Sequence, residues 1–227
     1  MSDRGDNPSG KVRKVVLVDD HPIVREGLAQ VIRQKPDLAV CGEADNAADA
    51  LKVIEATQPD VAVVDLSLKD SSGLDLIKDV AIRFPKLSVI VLSMRGDSLY
   101  VERALRAGAQ GYVTKEEGTA KVIEGIRKVL DGEIYLSDKM AGKVLKTVFP
   151  GRRGSVGLPT ERLSDRELSV LEMIGKGKST REIAEALHVS VKTVETYRER
   201  IKDKLKLADA GELLKYAIAW DRSQGGG

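Results

Sequence analysis

The first 133 residues alternate short apolar runs with longer amphipathic segments. Five apolar runs rich in Val, Ile and Leu occur, at 15–18, 38–41, 61–64, 88–92 and 111–114. Runs of this length are typical of strands buried on both faces of a parallel sheet. The amphipathic segments predict helices at 22–34, 46–57, 73–84, 98–108 and 118–131. Because strands and helices alternate, the sequence predicts a doubly wound α/β domain with a five-stranded parallel sheet.

The pattern after Thr160 is purely helical. Two Ser-x-x-Glu capping boxes, Ser164 with Glu167 and Ser179 with Glu182, predict the first two helix starts. A third helix is expected from Val191 to about Leu205, capped by Ser190, and a fourth, capped by Asp209, should end near Trp220. Three short helices with a tight turn before the third are typical of a helix-turn-helix. The spacing alone leaves a plain four-helix bundle open as the alternative.

These patterns divide the chain into five parts. They are a disordered tail at 1–11, an α/β domain at 12–133, a linker at 134–159 with a short helix near 138–147, a helical domain at 160–221 and a flexible tail at 222–227. Concentrated Pro, Gly, Ser and Arg in the second half of the linker favour a flexible connection.

Composition narrows the class of protein. The chain has 227 residues, a formal net charge of +2 and one cysteine, so an internal disulfide and a cysteine-based metal site are excluded. The segment 1–133 holds 19 basic and 22 acidic side chains, whereas 134–159 holds five basic and one acidic. No signal sequence or membrane-length apolar run occurs, which predicts a cytoplasmic protein without a membrane partner.

Polar side chains gather where the predicted strands end. Asp19 and Asp20 follow the first strand, Asp65 the third, Ser93 ends the fourth and Lys115 follows the fifth. Ligands of open α/β sheets bind at this edge. Clustered carboxylates favour a hard cation such as Mg²⁺, and a lysine beside them suits a phosphoryl oxygen. A carboxylate there can be the nucleophile that forms an aspartyl phosphate.

The same residues resemble the receiver domain of bacterial response regulators, with a flavodoxin-like fold. The resemblance covers roughly 12–133 and rests on Val-Asp-Asp-His-Pro at 18–22, Val-Val-Asp-Leu-Ser at 63–67, Leu-Ser-Met at 92–94 and Gly-Tyr-Val-Thr-Lys at 111–115. It implies the following roles: Asp65 as phosphoacceptor; Asp19, Asp20, Asp65 and the Ser67 carbonyl as Mg²⁺ ligands, Asp19 through water; Lys115 as the phosphoryl contact; and Ser93 and Tyr112 as switch residues.

Two positions near this site need separate treatment. Many relatives have Pro-Gly or a similar turn after the phosphoacceptor, whereas this chain has Lys69-Asp-Ser-Ser-Gly73. His21 follows the acidic pair, and a role at the helix start or towards a partner is favoured over metal binding.

The helical domain resembles the LuxR-type DNA-binding domain over about 160–220. The matching segments are Leu-Ser-Asp-Arg-Glu at 163–167, Ile-Gly-Lys-Gly at 174–177, Glu-Ile-Ala at 182–184 and Val-Lys-Thr-Val-Glu-Thr-Tyr at 191–197. Most relatives carry His where this chain has Tyr197. The resemblance implies groove contacts by Lys192, Thr193, Glu195, Thr196 and Glu199, and backbone contacts by Lys178, Tyr197, Arg198 and Lys202. It also implies a dimer face of Leu213, Leu214, Ala217 and Trp220, with a core-only role as the alternative.

Together the two domains resemble the NarL/FixJ class of response regulators. This resemblance implies phosphorylation of Asp65 by a sensor histidine kinase, with Mg²⁺, as the switch for homodimerisation, binding to inverted or direct DNA half-sites and transcription control. RNA polymerase is a further candidate partner. No enzymatic activity is expected beyond the protein's own phosphoryl transfer and autodephosphorylation. The alternative is a phosphorylation-independent DNA-binding regulator whose receiver serves dimerisation or ligand sensing. A phosphatase is disfavoured, because Ser67 stands where such enzymes carry a second Asp.

Overall fold

The computed structural model describes residues 11–68, 72–94, 96, 98–137, 140–142, 159–187 and 189–225. The chain folds into two compact units. The predicted N-terminal tail apart from Lys11, the turn residues 69–71, most of the linker and residues 226–227 lie outside the described residues. Among the described residues, no helix combines the length and apolar character needed to cross a membrane.

The first unit contains a parallel sheet. Its strands are β1 (Arg13–Val18), β2 (Leu38–Ala44), β3 (Val61–Val64), β4 (Ser88–Ser93), β5 (Gly111–Thr114) and β6 (Tyr135–Leu136). Their spatial order is β2-β1-β3-β4-β5-β6. The first five confirm the predicted strands, and the order reverses direction at β1, where a doubly wound sheet opens its ligand crevice.

Five helices cover the two faces of this sheet. They are α1 (Pro22–Arg33), α2 (Ala47–Thr57), α3 (Gly73–Arg83), α4 (Ser98–Ala107) and α5 (Thr119–Leu130). The largest core cluster joins α1 and α5 to one face, through Leu28, Ala29 and Ile32 of α1 and Val122, Ile123, Ile126 and Val129 of α5. The other three helices pack side by side against the opposite face. The sheet is thus closed on both sides and open only at its edges.

The sixth strand corrects the sequence prediction. Five strands were expected and the linker was placed from residue 134, but β6 continues the sheet through parallel pairs Gly111 with Tyr135 and Tyr112 with Leu136. The sequence could not show this strand because two residues are too short for any periodicity. Residues 140–142, the described part of the predicted linker helix, are helical. The first folded unit therefore extends beyond residue 133.

The second unit is entirely helical in its described part. After a 3₁₀ turn at Pro159–Arg162 come α6 (Asp165–Gly175), α7 (Thr180–Ala186), α8 (Val191–Leu205) and α9 (Ala210–Gly225). All three predicted serine caps are confirmed, since Ser164, Ser179 and Ser190 each accept a hydrogen bond from the third helical amide. Two of them form complete capping boxes, with Glu167 and Glu182.

The last helix is longer than expected. A flexible tail was predicted from 222, but α9 continues to Gly225. Residues 221–224 contain no helix breaker, and Arg222 in the last turn suits the negative end of the helix dipole. The core of this unit lies between α6, α8 and α9, where Leu168, Leu171, Ile201 and Leu213 are fully buried.

Candidate phosphoryl-acceptor site and nucleic-acid interface

The sheet brings the predicted acidic residues together at the carboxyl ends of β1 and β3. Asp65 is 2% exposed and Asp19 is 5% exposed, so both carboxylates are almost wholly withdrawn from solvent. Backbone hydrogen bonds fix these strand ends, because the Asp65 amide donates to the Val18 carbonyl at 2.8 Å. The Asp19 amide likewise donates to the Ala44 carbonyl at 3.1 Å. Each carboxylate is thus held by the sheet itself.

Lys115 closes the pocket from the end of β5. Its Nζ lies 2.7 Å from Oδ2 of Asp65 and 2.7 Å from Oδ2 of Asp19. The lysine side chain is 10% exposed, so this double ion pair is largely shielded from solvent screening. The predicted association of these three residues is confirmed by this geometry.

Burial and charge act in opposite directions on the pKa values of this cluster. Burial raises the pKa of Asp65, and the nearby Asp19 charge adds to the rise, while the Lys115 ammonium and the Ser67 amide oppose it. For Lys115, burial disfavours the ammonium, but the carboxylates of Asp19 and Asp65 outweigh it and raise the lysine pKa. The phosphoacceptor candidate is therefore a carboxylate whose charge depends on its lysine partner.

Asp20 and His21 form the outer part of the pocket. The His21 Nδ1 lies 2.7 Å from an Asp20 carboxylate oxygen and 3.1 Å from one of Asp19. His21 also occupies the N-cap position of α1, the helix-start role that the sequence favoured. Ligand atoms of the two aspartates, His21 and Asp65 all lie within 4.8 Å of one another.

The donor set fits a divalent cation. When ionised, the carboxylates of Asp19, Asp20 and Asp65 carry three negative charges against the single positive charge of Lys115. Crowded carboxylates repel one another, and an oxygen-binding dication offsets that repulsion. The Ser67 amide donates to Oδ1 of Asp65 at 3.1 Å. The proposed ligand role of the Ser67 carbonyl stays a prediction.

Gly73 shapes the turn behind Asp65. The Gly73 amide donates to the Leu66 carbonyl at 3.1 Å. A Cβ at position 73 would lie 2.2 Å from the Asp65 carbonyl oxygen and 2.6 Å from the Leu66 Cα. No side chain fits there, so the glycine lets α3 begin directly against the backbone of the phosphoacceptor.

The two predicted switch residues lie on the sheet face opposite the main core cluster. Ser93 pairs with Thr114, and Tyr112 pairs with Val91, two positions further back. Because side chains alternate along a strand, Ser93, Tyr112 and Thr114 all point to the face that α4 covers. Ser93 and Tyr112 are fully buried. The structure thus places Ser93 at the strand end beside Asp65 and Tyr112 deeper under α4.

Sequence reasoning missed two residues that hold the pocket. Arg25 donates to the Asp19 carbonyl at 2.5 Å and lies 3.5 Å from Glu43. Glu117 accepts hydrogen bonds from the amide and hydroxyl of Thr114, at 2.8 and 2.9 Å. The signal for Glu117 was present, since Thr114-Lys-Glu-Glu117 has the same capping-box spacing that marked the C-terminal helices.

The second candidate site is the outer surface of α8. Val194 and Ile201 face the core and are fully buried. Four of the predicted groove residues, Lys192, Glu195, Thr196 and Glu199, are exposed, and Thr193 is half-buried. The helix thus presents a continuous polar face of the residue types that contact bases and phosphates.

The predicted backbone-contacting residues flank that face. Lys178 is exposed before α7, whereas Tyr197 and Arg198 are half-buried. Lys202 is paired with Glu199 at 2.9 Å. While this ion pair is formed, the Glu199 carboxylate offsets the positive charge that Lys202 offers to a DNA phosphate. A Glu199 side chain turned towards a base would remove that offset.

The predicted dimer face is wrong for three of its four residues. Leu213 and Ala217 are fully buried and Trp220 is 9% exposed, because this stripe of α9 packs on α6. Leu214 is 43% exposed and is the one of the four that can meet a partner. An apolar stripe at helical spacing cannot by itself distinguish a core face from an interface.

Comparison with known families follows the same division of the chain. The response regulator receiver domain matches residues 15–127, and the luxR family of bacterial regulatory proteins matches residues 161–217. Each matched segment coincides with one folded unit.

Relatives that match over nearly their whole length have the same two-domain organisation as the family matches. The chain is 36% identical to the oxygen regulatory protein NreC of Staphylococcus carnosus, and 35% identical to the transcriptional regulatory protein LiaR of Bacillus subtilis. Each match covers 90% of this chain and 96% of the relative. The chain therefore belongs to the NarL/FixJ-type response regulators, two-component proteins with a receiver and a LuxR-type DNA-binding domain.

Solved structures give the same result. RcsB of Salmonella enterica serovar Typhimurium, bound to promoter rprA with the phosphomimetic BeF3−, has a TM-score of 0.62 and 26% identity. That match covers 92% of this chain and 99% of RcsB. A LuxR-family two-component response regulator from Aurantimonas sp. SI85-9A1 matches 60% of this chain and 97% of its own, with a TM-score of 0.58 and 32% identity.

Proposed function

We propose that a sensor histidine kinase phosphorylates Asp65 with the help of Mg²⁺, and that phosphorylation switches sequence-specific DNA binding. The observation that carries this proposal is the buried group of Asp65, Asp19 and Lys115, joined by two 2.7 Å ion pairs on a chain that also carries the exposed face of α8. A structural role for so many buried charges is disfavoured, because burying charge is costly unless function requires it.

The proposed chemistry is a phosphoryl transfer to a carboxylate. An Asp65 oxygen forms a bond to phosphorus while the bond from phosphorus to the donor, a histidine nitrogen or an acetate oxygen, breaks. Lys115, already within reach of Asp65, then offsets charge on the phosphoryl oxygens. Asp19, Asp20, Asp65 and the Ser67 carbonyl would hold Mg²⁺, which supplies further charge neutralisation. We expect no catalysis beyond this transfer and autodephosphorylation, in which water attacks the phosphorus, the bond to the Asp65 oxygen breaks and inorganic phosphate is released.

The proposed switch is a shift between two populations of conformations. In this proposal the Ser93 hydroxyl turns towards the phosphoryl group, and the buried Tyr112 ring changes rotamer with it. The altered receiver surface favours a homodimer, whose two copies of α8 bind neighbouring half-sites about one helical turn apart. The structure of RcsB bound to a promoter in the presence of a phosphomimetic supports a link between phosphorylation and DNA binding in this proposal. Recruitment of RNA polymerase and a cytoplasmic location belong to the same proposal.

The first test is chemical. Purified protein is incubated with Mg²⁺ and acetyl phosphate, and intact mass is measured for the wild type, Asp65→Asn and the control Asp75→Asn. Asp75 lies on α3 and its side chain is 57% exposed, so its amide variant should react like the wild type. We expect a phosphoryl adduct on the wild type and control but not on Asp65→Asn. An adduct on Asp65→Asn as well would refute the assignment of the acceptor.

The second test concerns coupling. DNA affinity is compared for phosphorylated and unphosphorylated wild type at fixed salt, since phosphate contacts make binding salt-dependent. Equal affinities would refute the switch while leaving the acceptor chemistry intact. Absence of both an adduct and Mg²⁺ binding would instead favour the phosphorylation-independent regulator.

A further inference from the structure

A carboxylate clamp fixes the residue next to Lys115. Thr114 ends β5, and a 3₁₀ turn at Lys115–Glu117 follows at once. One oxygen of Glu117 accepts from both the amide and the hydroxyl of Thr114, at 2.8 and 2.9 Å. These two bonds fix the direction in which the chain leaves the strand, and hence the direction of the Lys115 side chain towards Asp65.

The clamp also sets the charge of Glu117. Burial raises the pKa of Glu117, but hydrogen bonding from the Thr114 amide and hydroxyl lowers it overall. Glu117 is therefore held as a carboxylate, the form that accepts from both Thr114 groups.

Met140 connects Thr114 to the residues that follow β6. Its side chain is 3% exposed. A Cβ at Gly96 would lie 3.0 Å from the Met140 Cε and 3.3 Å from the Thr114 Cγ2. Met140 and Thr114 thus meet at the same side of Gly96, in the loop that follows Ser93. The Ala141 amide also donates to the Ser137 carbonyl at 2.8 Å, which joins the helical residues 140–142 to the end of β6.

We propose that Glu117 is a positioning residue for Lys115, and that Thr114, which Glu117 holds, ties the geometry of the phosphoryl-acceptor site through Met140 to the segment that follows β6. This inference rests on the proposed function of Asp65. Thr114 is the common element, because it pairs with Ser93 across the sheet, precedes Lys115 in the chain and is held by Glu117. A change at the acceptor site then reaches Met140 through Thr114, because both side chains lie against Gly96.

The test uses two substitutions of Glu117 and a neighbouring control. Glu117→Ala removes the clamp, Glu117→Gln keeps an oxygen acceptor for Thr114, and Glu116→Ala removes an exposed carboxylate from the same turn. We expect Glu117→Ala to lower the maximal phosphorylation rate with acetyl phosphate about tenfold, because misplacing a charged contact costs roughly that much or more. Glu117→Gln should stay within about twofold of the wild type, and Glu116→Ala should be unchanged. A merely structural role would not give this rescue by glutamine at equal melting temperature.

A second readout does not depend on phosphorylation. The Lys115 ammonium signal in a ¹H–¹⁵N spectrum of lysine side chains is assigned by its loss in Lys115→Ala. Its protons should be protected from exchange with water in the wild type, Glu116→Ala and Glu117→Gln. They should not be protected in Glu117→Ala. Met140→Ala should leave that signal in place and increase amide hydrogen exchange over residues 134–142, because the buried Met140 side chain no longer packs against Gly96.

The outcomes separate the two proposals. If the wild type takes no phosphoryl group, the proposed function fails, while the lysine signal still decides the role of Glu117. If the wild type is phosphorylated and Glu117→Ala behaves like Glu116→Ala in both readouts, only the positioning role of Glu117 is refuted and the proposed function of Asp65 stands. Unchanged exchange in Met140→Ala refutes the connection to the segment that follows β6.

Discussion

Replacing Glu167 by alanine should destabilise the DNA-binding unit far more than replacing an exposed glutamate of the same unit that caps no helix. Glu167 is 2% exposed, and one oxygen accepts from both the Ser164 amide at 2.7 Å and the Lys204 ammonium at 2.6 Å. It therefore caps the start of α6 and joins that helix to the end of α8. The substitution removes both interactions and leaves space in a packed core.

The magnitude follows from these separate losses. Loss of the N-terminal cap costs about 1 kcal/mol. The ion pair adds at most about 1 kcal/mol, because the Lys204 side chain is 38% exposed and is rehydrated once its partner is gone. The cavity left by the buried methylenes adds about 1 kcal/mol more. We expect a total loss of about 2–3 kcal/mol in the free energy of unfolding.

The chain offers a selective probe for this measurement. Trp220 is the sole tryptophan and packs in the helical unit, on α9. Urea unfolding of the full-length protein, followed by fluorescence excited at 295 nm, therefore reports on the helical unit. Glu185→Ala is the matched control, since Glu185 is 70% exposed and pairs with Arg181 at 3.4 Å on one helix face. That control should change stability by less than about 0.5 kcal/mol.

The pH dependence gives an independent check. Burial raises the pKa of Glu167, but the Lys204 ammonium and the Ser164 amide and hydroxyl lower it below its usual value. A lowered folded-state pKa means that this stabilisation is present above the unfolded-state pKa of about 4.3 and is lost as pH falls through the folded-state value. Glu167→Gln, which cannot titrate, should flatten stability over that acid range. Equal destabilisation by Glu167→Ala and Glu185→Ala would refute the whole line of reasoning.

Four further substitutions are expected to have distinct effects. Gly73→Ala forces a Cβ against the Asp65 carbonyl and should cost about 1–3 kcal/mol in urea unfolding, whereas Gly27→Ala, with open space around its Cβ, should be neutral or stabilising. Arg25→Ala should weaken Mg²⁺ binding in a calorimetric titration, because the Asp19 carbonyl loses its donor; unchanged affinity would count against that support. Lys202→Ala should weaken binding to all DNA sequences. It should also reduce, by about one, the slope of the logarithm of DNA affinity against the logarithm of salt concentration. Thr196→Ala should instead change sequence preference in a binding-site selection, and an unaltered preference would contradict its place in the groove.

The parts of the fold that could be predicted are those with strong local signals. Val61–Val64 appeared as a buried strand because all four residues are apolar and a carboxylate follows. The capped helix starts at Ser164, Ser179 and Ser190 were predicted because capping is a short-range hydrogen bond between neighbouring residues. The acidic pocket followed from topology alone, since parallel strands deliver their carboxyl ends to one edge.

The parts that could not be predicted depend on contacts between distant segments. Nothing local marks Tyr135–Leu136 as a strand, because its order comes from pairing with β5. The dimer face on α9 was implied by the resemblance, with a core-only role as the alternative. The spacing of its residues could not decide between them, because it shows that one side is apolar and not which neighbour covers it. Arg25 supports Asp19 and is itself paired with Glu43, which lies on β2. This arrangement requires that β2 lie beside β1, and the order of the strands cannot be deduced from the sequence.

The arrangement of the pocket assigns different tasks to its two sides. On the β1 side, Arg25 and Glu43 support the Asp19 backbone, so changes there should affect cation binding first. On the β5 side, Lys115 follows Thr114, which pairs with Ser93 and is held by Glu117, so changes there should affect the response to phosphorylation first. Asp65 lies between the two sides, on the central strand β3. A single modification at Asp65 can therefore act on both at once. Variants of Arg25 and Glu117 should have non-additive effects, because the residues they support, Asp19 and Lys115, form a direct ion pair at 2.7 Å.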